Sequence, residues 1–111
     1  MMFYIKTFLN NTALAEKGER MRNIWKYKVP FDGEWHLINM PSGAEIIYVG
    51  NQEDSLVFWT IVNPNTERVS KRYFKIYGTG HPILEGSSKY IGTTYFDTPM
   101  MRPLVLHLFE K

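Results

Sequence analysis

From Asn23 onward the chain is cut into short apolar runs by turn residues about every ten positions, and no run keeps a helical period for long. Ile24–Val29 alternates and stops at Pro30. Phe31-Asp32-Gly33-Glu34 then supplies turn chemistry, with Gly33 free to take a positive φ. Trp35–Asn39 follows, and Pro41-Ser42-Gly43 turns the chain again. Ala44–Val49 ends at Gly50-Asn51, with the acidic Glu53-Asp54 at the loop tip. Ser55–Val62 is apolar on both faces and belongs in the middle of a sheet. In Val69–Tyr77, Arg72, Phe74 and Ile76 point one way and Tyr73, Lys75 and Tyr77 the other. Gly78–Gly86 reads as loop, Tyr90–Phe96 as a strand, and Leu104–Phe109 as a last strand with Leu104, Leu106 and Leu108 on one face. Runs of this length and spacing predict an all-β fold, a compact small β-sandwich or barrel of about seven short antiparallel strands.

The first twenty residues follow another pattern. Asn10-Asn11-Thr12 caps a short helix over Ala13–Arg20, which Gly18 weakens. Met21 through Tyr27 makes a sensible beginning for the β unit. Residues 1–20 are therefore read as an N-terminal extension or an arm that packs on a neighbour, and 21–111 as a single β domain. At this size a fold buries roughly 65% of its unfolded surface, enough for one modest core. Seven Tyr, seven Phe and three Trp favour pleated structure, and a small domain this aromatic is expected to complete its burial as a homo-oligomer.

Several classes of function are disfavoured. There is no cysteine, hence no disulfide scaffold, thiolate zinc site or cysteine nucleophile. No apolar run approaches the ~20 residues of a membrane span, and the N-terminus lacks the basic stretch and small-residue site of a secretory leader, so a cytoplasmic location is expected. Positive charge gathers at one end: residues 1–28 carry +4 and the rest −2 of an overall +2. A basic balance of that origin argues against nucleic acid as the main partner. His36, His81 and His107 show no metal-ligand spacing, and no Ser sits in a Gly-x-Ser-x-Gly elbow. A non-enzymatic chain without metal or cofactor is expected. His107 reads as a packed or edge residue of its strand, and Trp25, Trp35 and Trp59 as core by default.

The segment with most chemical promise is Tyr77-Gly78-Thr79-Gly80-His81-Pro82. Two glycines around a threonine after a strand let successive N–H groups converge on an anion such as phosphate, Thr79 adds a hydroxyl, and His81 can stack on a base. The bland alternative is a tight loop ended by Pro82. Arg68, Lys71, Arg72 and Lys75 lie close in sequence, Arg72 being suited to bidentate phosphate contact. Trp59 and Tyr90 are candidate stacking surfaces.

Ile24-Trp25-Lys26-Tyr27, Met40-Pro41-Ser42-Gly43-Ala44, Val49-Gly50-Asn51-Gln52, Phe58-Trp59…Val62-Asn63-Pro64, Gly78-Thr79-Gly80-His81-Pro82 and Tyr90-Ile91-Gly92-Thr93, in that order, resemble a family of small uncharacterised proteins of bacteriophages and prophages. The resemblance covers about residues 21–110 and implies no established activity. It implies a setting in which small accessory proteins often inhibit host defence. The expectation is a protein that sequesters a nucleotide-type signalling molecule through Gly78, Thr79, Gly80, His81, Arg72, and Trp59 or Tyr90. The competing expectation is a protein-binding inhibitor of a host factor, or a minor virion component, with no small-molecule site.

Overall fold

The computed structural model describes residues 3–6, 21–84, 86, 88–97 and 103–111, with side chains from residue 21 onward. The helix expected over Ala13–Arg20 lies outside the described residues. The strands are β1 (Phe3–Lys6), β2 (Asn23–Val29), β3 (His36–Pro41), β4 (Glu45–Gln52), β5 (Ser55–Val62), β6 (Val69–Gly78), β7 (Lys89–Phe96) and β8 (Leu104–Glu110). Each of the seven expected runs is a strand, shifted by at most three residues at its ends, and β1 pairs ahead of them with β2. They form two antiparallel four-stranded sheets, ordered β1-β2-β5-β4 and β3-β6-β8-β7. The fold is an all-β sandwich.

Alternation decides which side chains meet between the sheets. Trp25, Tyr27 and Val29 of β2 sit opposite Thr60, Phe58 and Leu56 of β5, and all are buried. From the second sheet come Ile38 and Met40, Phe74 and Ile76, and Leu106 and Leu108. The core is an aromatic stack crossing the gap. The Tyr27 and Phe58 rings lie 5.4 Å apart, and Phe58 meets Phe74 of the other sheet at 4.8 Å. All three are 0% exposed. Full burial of each ring stabilises the fold by about 1.5–3 kcal/mol, and the ring pairs add about 0.5–1.5 kcal/mol each.

One side of the sandwich is a seam between the edge strands β4 and β7. Register shifts in each strand bulge Ile47 and Ile91 out of the ladders. Beyond the bulges the strands converge. A Cβ on Gly92 would stand 2.6 Å from Val49 Cγ2, so only glycine admits this approach. Asn51 closes the seam by donating from Nδ2 to the Tyr95 carbonyl (2.5 Å) and Thr94 Oγ1 (3.3 Å). Among the described residues no helix is long and apolar enough to cross a membrane.

The β4–β5 hairpin closes through Glu53 and Asp54, which both adopt positive φ (50° and 64°) without being glycine. The geometry is that of a two-residue type I′ turn, which Asn-Gly fits best, and left-handed backbone costs an L-residue about 1–2 kcal/mol. Combining Glu53→Asn with Asp54→Gly is expected to raise the unfolding free energy by about 1 kcal/mol. Urea denaturation reads this directly, and an unchanged or lower midpoint would show that the turn holds no strain.

Candidate functional site

Because Phe74 and Ile76 of β6 face the core, Tyr73, Lys75 and Tyr77 lie on the outer face of the sheet, where Tyr77 is covered and buried. The neighbouring strand β8 turns His107 and Phe109 the same way, with Lys75 opposite Phe109 and Tyr77 opposite His107. On β7 the bulge at Ile91 brings both Tyr90 and Thr93 to this side, opposite Phe109 and His107. The result is an aromatic outer face on the second sheet. Phe109 takes the edge contacts of both Tyr77 (5.2 Å) and Tyr90 (5.6 Å).

Strands β6 and β7 both pair with β8 antiparallel, so they run parallel to one another with β8 between them. The chain leaving Gly78 must travel back along the sheet before β7 begins. On the way Leu84, Gly86 and Ser88 come to line one side of a cup of about 250 Å³, whose other walls are Trp35, Lys75, Tyr77 and Lys111. The Lys75 ammonium lies 4.8 Å from the Tyr77 ring centre and 5.9 Å from that of Trp35. The Lys111 ammonium lies 5.6 Å from the same indole. The ion pairs among the described residues are Asp32–His36 and Arg72–Glu110, so no carboxylate of another described residue neutralises either lysine. Two like charges sharing one ring, in a concavity, focus a field that favours an anion.

Beside the cup a string of hydrogen bonds crosses the sheet. Thr79 Oγ1 stands 2.9 Å from His107 Nε2, His107 Nδ1 stands 2.9 Å from Thr93 Oγ1, and Thr93 Oγ1 stands 2.7 Å from the Tyr90 hydroxyl. His107 is thus held at both ring nitrogens, on the outer face of an interior strand.

The Gly78–His81 segment is a closed turn. His81 N–H donates to the Gly78 carbonyl (3.1 Å), and Gly78 N–H donates to His81 Nδ1 (3.1 Å). Gly80 supplies the positive φ (89°) of the turn's third position. A Cβ on Gly78 would lie 2.9 Å from the His81 ring, so the imidazole folds back over the glycine. Two of the N–H groups that an anion nest would use are therefore engaged within the turn. The His81 ring also stacks on Phe31 at 6.2 Å. The adjoining Asp32 accepts from Glu34 N–H (3.0 Å) and pairs with His36 Nε2 (2.7 Å). The hydrogen bond from His36, followed by that from the Glu34 backbone, holds the Asp32 carboxyl below its ordinary pKa.

The residues singled out from sequence are thus distributed over three places. Thr79 and Tyr90 meet through His107 and Thr93 on the aromatic face, with Gly78, Gly80 and His81 in the adjoining turn. Trp59 lies on the outer face of the first sheet, on the far side of the sandwich, where it packs against Tyr48 at 5.8 Å. Arg72 is on β6 but on the strand face opposite to Lys75. It donates from Nε and Nη2 to the two oxygens of Glu110 (2.6 and 2.9 Å) and from Nη1 to the Ala44 carbonyl (2.7 Å). This guanidinium joins the two sheets at the floor of a larger groove of about 610 Å³ between β4 and β7. Trp35 and Trp59, expected in the core, are half-buried, whereas Trp25 is buried as expected. The sequence reading missed Trp35 and Lys111 as site residues, because the lone indole read as core and nothing local ties it to the end of β8. Among the described residues no cluster of three or more His, Asp or Glu is placed to hold a metal.

The family model for a domain of unknown function, DUF7352, matches residues 21–111. The chain belongs to the DUF7352 family. The match spans nearly the same residues as the resemblance read from the motifs, and it includes every strand from β2 to β8. No curated protein and no solved structure matches the chain.

Arg72→Met is expected to cost about 2–3 kcal/mol, since it strands the half-buried Glu110 carboxylate. Arg72→Met with Glu110→Gln should recover part of that loss in chemical denaturation; a double variant no better than the single one would deny the pairing. For Asp32 the sign follows from its lowered pKa. Its contribution is present above the ordinary carboxylate value and is lost as pH falls through the lowered one. Asp32→Asn should therefore flatten the fall in stability below about pH 4, as measured by urea midpoints along a pH series. An unaltered acid limb would place that dependence on other carboxylates.

Proposed function

We propose that this domain is a non-enzymatic binding protein that takes a nucleotide-type ligand into the cup on the outer face of the β3-β6-β8-β7 sheet. The observation that carries the reading is the convergence of the Lys75 and Lys111 ammonium groups on the Trp35 indole beside Tyr77, without a carboxylate of another described residue to neutralise them. A flat base finds a stacking surface there and a phosphate finds two cations, the combination by which aromatic, basic surfaces hold nucleotides. The resemblance to bacteriophage and prophage proteins supplies the setting. In a host cell, such a protein would counter defence by sequestering a nucleotide signalling molecule.

A second reading draws on the other sheet. Tyr48 is 66% exposed and rests with Trp59 over Gly50, forming an aromatic patch that suits a protein-binding inhibitor or a minor virion component.

The test is a thermal-shift screen against cyclic, linear and ADP-ribose-type nucleotides, followed by mass spectrometry of the material released on heating. A ligand at a hundred times its dissociation constant should add about 2.7 kcal/mol of stability. Lys75→Ala with Lys111→Ala should weaken binding about tenfold or more, the loss expected from two charge-assisted contacts. Release of intact ligand supports sequestration, and release of a converted product opposes it. A flat response across the panel removes the small-molecule reading and leaves the patch at Tyr48 and Trp59.

A further inference from the structure

We infer that the Thr79–His107–Thr93–Tyr90 string reads the hydroxyls of a sugar, so that the ligand is a nucleoside diphosphate carrying a second sugar. The inference rests on the reading of the cup as a nucleotide site and adds the substrate class. At about 250 Å³ the cup is smaller than the ~300–1,000 Å³ pockets that enclose whole ligands, so it holds the base and phosphate part of a ligand and leaves the remainder outside. The adjoining polar surface is the string. Tyr77 of the cup faces His107 of the string directly across the β6–β8 ladder. Phe109 touches both Tyr77 and Tyr90, giving the two parts a continuous aromatic floor.

Proton accounting along the string selects the chemistry of the second part. A neutral imidazole has one N–H. When it lies on Nδ1, His107 donates to Thr93, Thr93 donates to Tyr90, and Thr79 donates to Nε2. The Tyr90 O–H is then free to donate outward, while Thr79 can only accept. When the proton lies on Nε2 every bond reverses: Tyr90 donates to Thr93, Thr93 to Nδ1, and Nε2 to Thr79. The free O–H is now that of Thr79, and Tyr90 accepts. In both tautomers the string presents one donor end and one acceptor end. A phosphate offers only acceptors and mismatches one end. A sugar's hydroxyls each donate and accept, and so match both ends in either tautomer. Tyr90 at 55% exposure and the exposed Thr79 and Thr93 leave these atoms open to a ligand. Lys75 and Lys111, which no carboxylate of another described residue neutralises, set the charge between base and sugar, which a diphosphate supplies.

Isothermal titration of two matched pairs tests the inference: ADP against ADP-ribose and UDP against UDP-glucose, on wild type, Thr93→Val and Tyr90→Phe. Both variants remove a hydroxyl from an exposed position and leave the core intact. In wild type, the sugar-bearing member of at least one pair should bind about tenfold or more tightly than its diphosphate, as one or two hydrogen bonds to the ligand would give. In the variants that ratio should fall toward one while affinity for the plain diphosphate stays unchanged. Equal binding of both members in wild type, or a ratio that survives in both variants, overturns the inference and leaves the cup standing. No binding of any of the four overturns it together with the reading of the cup.

Discussion

The contact between Phe58 and Phe74 is what the rest of the molecule is arranged around. It is the point where the aromatic stack passes from one sheet to the other, with both rings fully buried. Fixing Phe74 inward fixes the parity of β6, and with it the outward direction of Lys75 and Tyr77. A slip of one residue would exchange the two faces, sending lysine into the core. The cup is therefore a by-product of core packing in the sense that matters for its accuracy. Its Lys75 is aimed by fully buried core rings and not by a surface loop.

The same parity separates two kinds of positive charge on one strand. Arg72 points to the side of Phe74, where its planar fork engages both oxygens of Glu110 and the Ala44 carbonyl and its guanidinium carbon lies 5.8 Å from the Phe74 ring centre. Its charge is neutralised within the protein. Lys75, three positions further on, points outward over the Tyr77 and Trp35 rings. Arginine suits the first position because a planar, bidentate group can be tied down with little loss of geometry; a lysine suits the second because a compact ammonium stays available to an anion.

The strands were readable because each is bounded by residues with a backbone reason to turn, such as Pro30, Pro41-Ser42-Gly43 and Asn63-Pro64-Asn65. The faces of β6 and β8 were readable for the same period-2 reason. The site was only partly readable. Thr79 and Tyr90 were identified, yet the groups that join them, His107 and Thr93, are 28 and 14 positions apart from Thr79 within the ladder and from each other, and only the register makes them neighbours. Trp59 and Arg72 are expected beside the loop, and the topology brings neither of them to it. Trp35 was misread as core because a single indole just ahead of a strand carries no periodicity of its own. Its two lysines come from the middle of β6 and the residue after β8, which no local pattern connects.

The order β3-β6-β8-β7 also has a consequence in time. A chain made from its N-terminus can pair β2, β5 and β4 as soon as β5 exists, and β3 finds its partner when β6 follows. Strand β7 has no such neighbour among the described strands until β8 has been synthesised. During that interval Tyr90, Ile91 and Tyr95 belong to a strand without a ladder partner, the kind of species that chaperones retain and that aggregates when crowded. An early stop within β8 would thus remove two strands from the sheet and not one. The outer face that carries Lys75, His107 and Tyr90 would be completed only as the final event of biosynthesis.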